Sequence, residues 1–281
     1  MTSLRDVWTI AHLTLHEAMR RRILLAASIC GAAFLTLFGI GLHFGIADLD
    51  KESGMHVVQR AVVLNMMTLA GLFATNFLMV MTAVLLPVDT LSGEIGSGVL
   101  QTVASKPVRR SDIVLGKWLG HVIVLAAYFV MLAGGVLTIV RCLGHFTPPR
   151  IAQGLPLMML EGLVLLSLSI AGGSRLSTVT NGILAFGLYG LAFIGNLVEQ
   201  IGTFADNDAA RYVGTVASLI MPSEALWQRA AWHMQPTLTQ QIGGTPFSPI
   251  SVPSPAMVWW AAGYAAVAVG FGVWGLRKRA L

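Results

Sequence analysis

The chain has 281 residues, 55% of them hydrophobic and only 11% charged, with a formal net charge of +5. An ordinary soluble domain carries roughly 25% charged residues, so a water-soluble fold of this length is excluded and the bilayer is the natural solvent. The basic residues form short clusters beside apolar runs rather than one basic face, which excludes a nucleic-acid-binding protein. Cys30 and Cys142 fall at opposite ends of their apolar runs and give neither a disulfide framework nor a zinc-ligand spacing.

In chain order, residues 2–21 place Leu4, Trp8, Ala11, Leu15 and Ala18 at helical spacing, with Arg5, Asp6, His12 and His16 on other faces. This pattern predicts an amphipathic interfacial helix that ends in Glu17, Arg20 and Arg22. The arginines precede an apolar run of about 24 residues without a small-residue cleavage site, so the run reads as a retained first span and not as a signal peptide.

About 20 apolar residues cross the hydrocarbon core, and six stretches qualify: 23–46, 61–88, 113–140, 155–173, 179–198 and 257–275. The expected fold is therefore an all-α polytopic integral membrane protein of six transmembrane helices, forming a single transmembrane domain over 1–281. Trp259, Trp260 and Trp274 flank the sixth span as interfacial tryptophans do. Of the 18 Lys and Arg residues, 12 flank the side holding both termini, the 89–112 loop and Arg175. The positive-inside rule places that side in the cytoplasm, in the plasma membrane or bacterial inner membrane. Residues 203–256 read as extracytoplasmic helices dipping into the outer interface, followed by a Pro, Gly and Ser-rich loop.

The 89–112 loop carries Leu91, Ile95 and Val99 on one stripe of a short helix, although Gly93, Gly96 and Gly98 make it a poor helix former alone. With Lys106, Arg109 and Arg110 beside it, which also set topology, these are features expected of a segment that a partner orders. Two landmarks now stand out: Glu17 with its basic cluster ahead of the first span, and Glu94, Gly98, Pro107, Arg110, Gly116 and Lys117 between the second and third. In these the chain resembles the ABC-2 type permeases, within them the group that includes the permease of the nitrous-oxide-reductase maturation system. Val99 stands where that family more often has Thr. The resemblance implies an exporter's membrane subunit working by alternating access. Its ATP and Mg would sit on a separate ABC ATPase subunit, and a second permease copy would complete a dimer whose cleft spans two and five line. It also makes Leu91, Glu94, Ile95, Gly98, Val99, Pro107, Arg110 and Lys117 the ATPase-coupling element.

The chain has no Gly-x-x-x-x-Gly-Lys-Ser/Thr phosphate loop, so it carries no ATPase of its own and no cofactor is expected in it. His12, His16 and Glu17 stand in the wrong order for a zinc-protease helix and read as the wet face of the interfacial helix. Met66, Met67, Met79, Met81, Met158 and Met159 bear thioethers that suit Cu(I), but methionine is an ordinary filler of helix interfaces, and no metal site is expected. Glu161 lies inside the fourth span, facing the protein interior or a wet vestibule, with Asn196 of the fifth span as its expected partner. Together with Asn65 and Asn76, these residues are the candidate pathway. Small residues at Gly71, Gly187, Gly190 and Gly195 would permit close helix approach. An intramembrane enzyme would need convergent His, Asp or Glu groups within the spans, where only Glu161 qualifies. An ion-coupled secondary transporter would need paired broken helices or an internal repeat.

Overall fold

The computed structural model describes residues 4–20, 22–51, 57–93, 109–237 and 251–278. Among the described residues there are helices and turns but no strands. The helices are α1 (Leu4–Arg20), α2 (Arg22–Lys51), α3 (Val57–Leu85), α4 (Arg110–Gly144), α5 (Ile151–Gly173), α6 (Thr178–Phe204), α7 (Asp208–Ile220), α8 (Ser223–His233) and α9 (Ala256–Arg277). Six of them, α2 to α6 and α9, are long and apolar enough to cross a membrane. The longest, α4, has 35 residues and at 1.5 Å per residue extends about 52 Å, well beyond the hydrocarbon core.

The center of the bundle is formed by α3 and α5, whose Leu69, Leu72, Met79, Met158, Leu165 and Leu166 are fully buried. By contrast α2 is peripheral: only Gly31, Leu42 and Ile46 are buried in it. Glycines set the close approaches. A side chain at Gly71 would strike the Phe38 ring at 2.5 Å, and one at Gly135 would strike Leu35 at 2.7 Å, so α2 lies against α3 and α4 with no room between.

The faces of α1 are unequal in their surroundings. Ala11, Thr14 and Ala18 are buried, whereas Leu4 and Trp8 are 83% and 62% exposed. The reason lies on α4. Gly116 sits against Ile10 and the Val7 carbonyl, and Gly120 against Thr14 and the Ala11 carbonyl, so the small-residue face of α1 docks on two glycines one turn apart. The larger Leu4, Trp8, Leu13 and Met19 remain on the outside. At the same end of the bundle Arg110 Nη1 donates to the carbonyls of Leu276 and Arg277, both at 3.2 Å. α1 and the C-terminal end of α9 therefore lie at the α4 N-terminal end, and that cation stands where a helix C-terminus favors one.

Between α6 and α9 the chain makes a re-entrant hairpin deeper than an interfacial dip. After the Asp206 turn (φ 51°), α7 folds back along α6, with Gly202 against Ala210 and Gly195 against Ala217. At Met221–Pro222 the chain reverses, because Pro222 cannot continue the helix. From there α8 climbs back along α5 until Met234 packs on Gly154. Every residue of the tip and first turns of α8, Met221 to Gln228, is buried.

Candidate functional site

Glu161 is buried with no exposed surface and lies ten residues into α5, about 15 Å from the start of that helix. This is deeper than the sequence implied, because α5 begins at Ile151 rather than near Leu155. The hydrogen-bond partner of Glu161 is not Asn196, as expected, but Asn76 on α3, whose Nδ2 donates to Glu161 Oε2 at 3.0 Å. Asn196 is taken by the hairpin instead: its Nδ2 donates to Glu224 Oε1 at 3.0 Å, and its Oδ1 accepts from Gln228 Nε2 and from Gln200 Nε2 at 3.3 Å.

The tip of the hairpin thus brings a second carboxyl, Glu224, into electrostatic reach of Glu161, and Tyr189 on α6 feels both. Burial pushes the Glu224 carboxyl up to about 7, while the Asn196 hydrogen bond acts in the opposite direction. Around this cluster Glu161 Oε1, Asn76 Oδ1, Thr75 Oγ1 and Ser223 Oγ are buried without a hydrogen-bond partner among the described residues. Unsatisfied polar groups at that depth are costly and concentrate at functional positions. Asn65 stands apart from the cluster. It is fully buried with neither amide atom paired, but lies 11 residues from Asn76, about 16 Å along α3, beside the contact of Leu64 with Gly144. Met79 and Met158 are fully buried in the core, and Met79 packs against Gly162.

A second constellation gathers at the other end of the bundle, where α3 gives way to the segment leading to α4. Glu94, Ile95, Gly98, Val99 and Pro107 lie outside the described residues, but both roots of that segment are described. Leu91 is 1% exposed and packs at 3.6 Å on the Cβ position of Gly173. It is therefore an anchor and offers no surface to a partner, contrary to its place in the expected docking stripe. The Thr90 hydroxyl donates to His121 Nε2 at 3.2 Å, since His121 Nδ1 donates to the Lys117 carbonyl at 2.7 Å. Asn181 Nδ2 donates to the carbonyls of Ser169 at 2.7 Å and Val88 at 3.4 Å, and the Thr178 hydroxyl donates to Asp89 Oδ1 at 2.7 Å. One short segment, Val88 to Gly93, is thereby fixed to α4, to the end of α5 and to the first turn of α6. Lys117 is 6% exposed beside these contacts, and Arg110 holds the C-terminus of α9. Of the remaining expected residues, Glu17, Arg20 and Arg22 lie exposed at the α1–α2 junction.

Glu224, Gln228, His121 and Asn181 were not anticipated from sequence. The available signals were the Pro222 break followed at once by Ser223 and Glu224 in an apolar context, and the Ser177-Thr178 start of α6 with Asn181 one turn on.

Six helices long and apolar enough to cross a membrane, with a re-entrant hairpin packed among them, define a polytopic membrane protein. A profile of the ABC-2 family transporter proteins matches residues 8–278, and the chain belongs to that family. It is similar to two proteins described as probable ABC transporter permease protein NosY. One, from Stutzerimonas stutzeri, is 34% identical over 44% of this chain and 41% of the relative. The other, from Pseudomonas aeruginosa, is 32% identical over 61% of this chain and 60% of the relative. The chain is thus matched over less than two thirds of each relative's length.

Proposed function

We propose that the chain is the permease subunit of an exporter powered by a separate ABC ATPase, with both termini and the 89–112 segment in the cytoplasm. In this reading α1 lies at the membrane surface with Leu4 and Trp8 in lipid, and ATP-driven closure of the partner pushes on residues 94–108. The observation that carries it is the fixation of Val88–Gly93 to three helices at once through Leu91, Thr90–His121 and Asn181. A force delivered at Gly93 reaches the first turn of α6 through these contacts. Alternating access follows if α6 faces a second copy across the cleft. The outer face of α6 supports this: Ile183, Ile194 and Ile201 are 69%, 60% and 67% exposed, and Gly187 and Gly190 have nothing within 4 Å of where a Cβ would stand. Such small residues let a partner helix approach closely. Gly71 and Gly195, by contrast, are occupied within the protomer by Phe38 and Ala217.

Affinity purification of the full chain from native membranes tests the reading. The expected result is co-purification of a polypeptide bearing nucleotide-binding motifs, with ATP hydrolysis in the eluate. A chain recovered alone, in native oligomeric mass and without hydrolysis, would refute it.

A further inference from the structure

At the end of the bundle opposite the termini, α5, α8 and the start of α9 enclose an open groove of about 700 Å³. Its floor is apolar, formed by Pro156, Leu160 and Leu163 of α5 and Val258 of α9, and its polar groups are Gln153 near the start of α5 and Arg229 and His233, one turn apart on α8. The groove extends from Ala152 to Leu163, about 16 Å along α5. Its polarity is directional. Since Met234 packs on Gly154, His233 sits near the start of α5, and the apolar floor leads away from it toward the hydrocarbon.

The charge at the mouth is uncompensated among the described residues. Arg229 Nη1 donates to the Pro253 carbonyl at 2.6 Å, but neither Arg229 nor nearby Arg150 makes an ion pair there, and residues 235–258 contain no Asp or Glu. His233 Nδ1 is buried without a hydrogen-bond partner. Burial, then Arg229 and Arg150, hold the His233 ring below its usual range, so at neutral pH it is a neutral hydrogen-bonding group rather than a third cation. An arginine beside a neutral imidazole suits a phosphodiester, and an apolar floor running inward from it suits an acyl chain. A zwitterionic headgroup would bring a second cation to a mouth that has no carboxylate to receive it.

We propose that this groove binds an anionic phospholipid of the leaflet opposite the termini, its phosphate held by Arg229 and His233 and one acyl chain lying on the Pro156–Leu163 floor.

The test is native mass spectrometry of the full-length, delipidated chain titrated with phosphatidylglycerol, with phosphatidylcholine, and with phosphatidylglycerol in excess inorganic phosphate. The native chain retains phosphatidylglycerol in preference to phosphatidylcholine, and inorganic phosphate does not displace it. Arg229→Gln weakens phosphatidylglycerol retention by about tenfold, as loss of a charged hydrogen bond predicts, and leaves phosphatidylcholine unchanged. Arg229→Lys keeps the preference, and Arg211→Gln, on an arginine already paired with Asp206 and Asp208, changes nothing. Equal retention of the two lipids, displacement by inorganic phosphate, or equal losses in Arg229→Gln and either Arg229→Lys or Arg211→Gln would each overturn the assignment.

Discussion

Asn76 of α3 and Glu161 of α5, 85 residues apart in the chain, are joined by a 3.0 Å hydrogen bond beside the tip of the re-entrant hairpin. The bond is the only direct one that Glu161 makes among the described residues, and its other oxygen is unpaired.

That geometry separates two substitutions. Asn76→Ala leaves a buried carboxyl without its donor and should cost about 1–3 kcal/mol. Glu161→Gln preserves an acceptor for Asn76 and removes a buried acid, so its stability should equal or exceed that of the native chain. Thermal unfolding of the detergent-solubilized variants checks this, and the reverse order of melting temperatures would contradict it.

Glu224 supplies a pH dependence. Its folded pKa of about 7 lies above the ordinary carboxyl value of 4.5, so folding favors the protonated form. Stability is highest below pH 4.5, falls as pH rises toward 7, and is level above that. Glu161 and Tyr189 face the same cluster. Glu224→Gln should raise the melting temperature more at pH 8 than at pH 5 and flatten the profile between them. A variant whose profile keeps the native slope would show that Glu224 is not the titrating group.

Gly195 and Gly190 lie five residues apart on α6 with opposite surroundings. A Cβ at Gly195 would collide with Ala217, whereas one at Gly190 meets nothing within 4 Å. Gly195→Val should therefore force α7 from α6 and cost about 1–3 kcal/mol as overpacking does. Gly190→Leu should leave protomer stability intact and weaken self-association, read by cross-linking in membranes. Equal effects of both substitutions on stability would mean that the α6 face is closed in the protomer.

The six spans were legible because a 20-residue apolar run is a strong signal in a single sequence. What joins them was not. The interior position of Glu161 follows from its charge alone, but choosing Asn76 over Asn196 requires knowing that α8 inserts Glu224 and Gln228 between α5 and α6. The depth of the hairpin was hidden because its two helices are each too short to count as spans, and only the Asn196 pairing makes burial of Glu224 and Gln228 tolerable. The division of α1 was hidden in the same way, because Gly116 and Gly120 of α4 seat Ile10, Ala11 and Thr14 while Leu4 and Trp8 stay outside. Leu91 was placed in a docking stripe by periodicity, which cannot tell a face turned to a partner from one turned to the protomer's own core.

Arg110 was singled out for coupling, and the structure gives it a second task at the C-terminus of α9. Arg110→Gln should loosen the last turn of α9, exposing the tail near Arg277 to trypsin several-fold faster than in the native chain, while Arg110→Lys should restore much of the protection. Unchanged proteolysis in both would remove that role.

ATP turnover and export by the purified assembly in proteoliposomes test most directly whether energy arrives through residues 89–117. Glu94→Lys, at the loop, and Asn181→Ala, at its root, are compared with the native chain. The expected result is loss of ATPase subunit or loss of coupling in Glu94→Lys, and turnover without proportionate export in Asn181→Ala. An intact assembly whose turnover remains coupled to export in both variants would contradict the proposal.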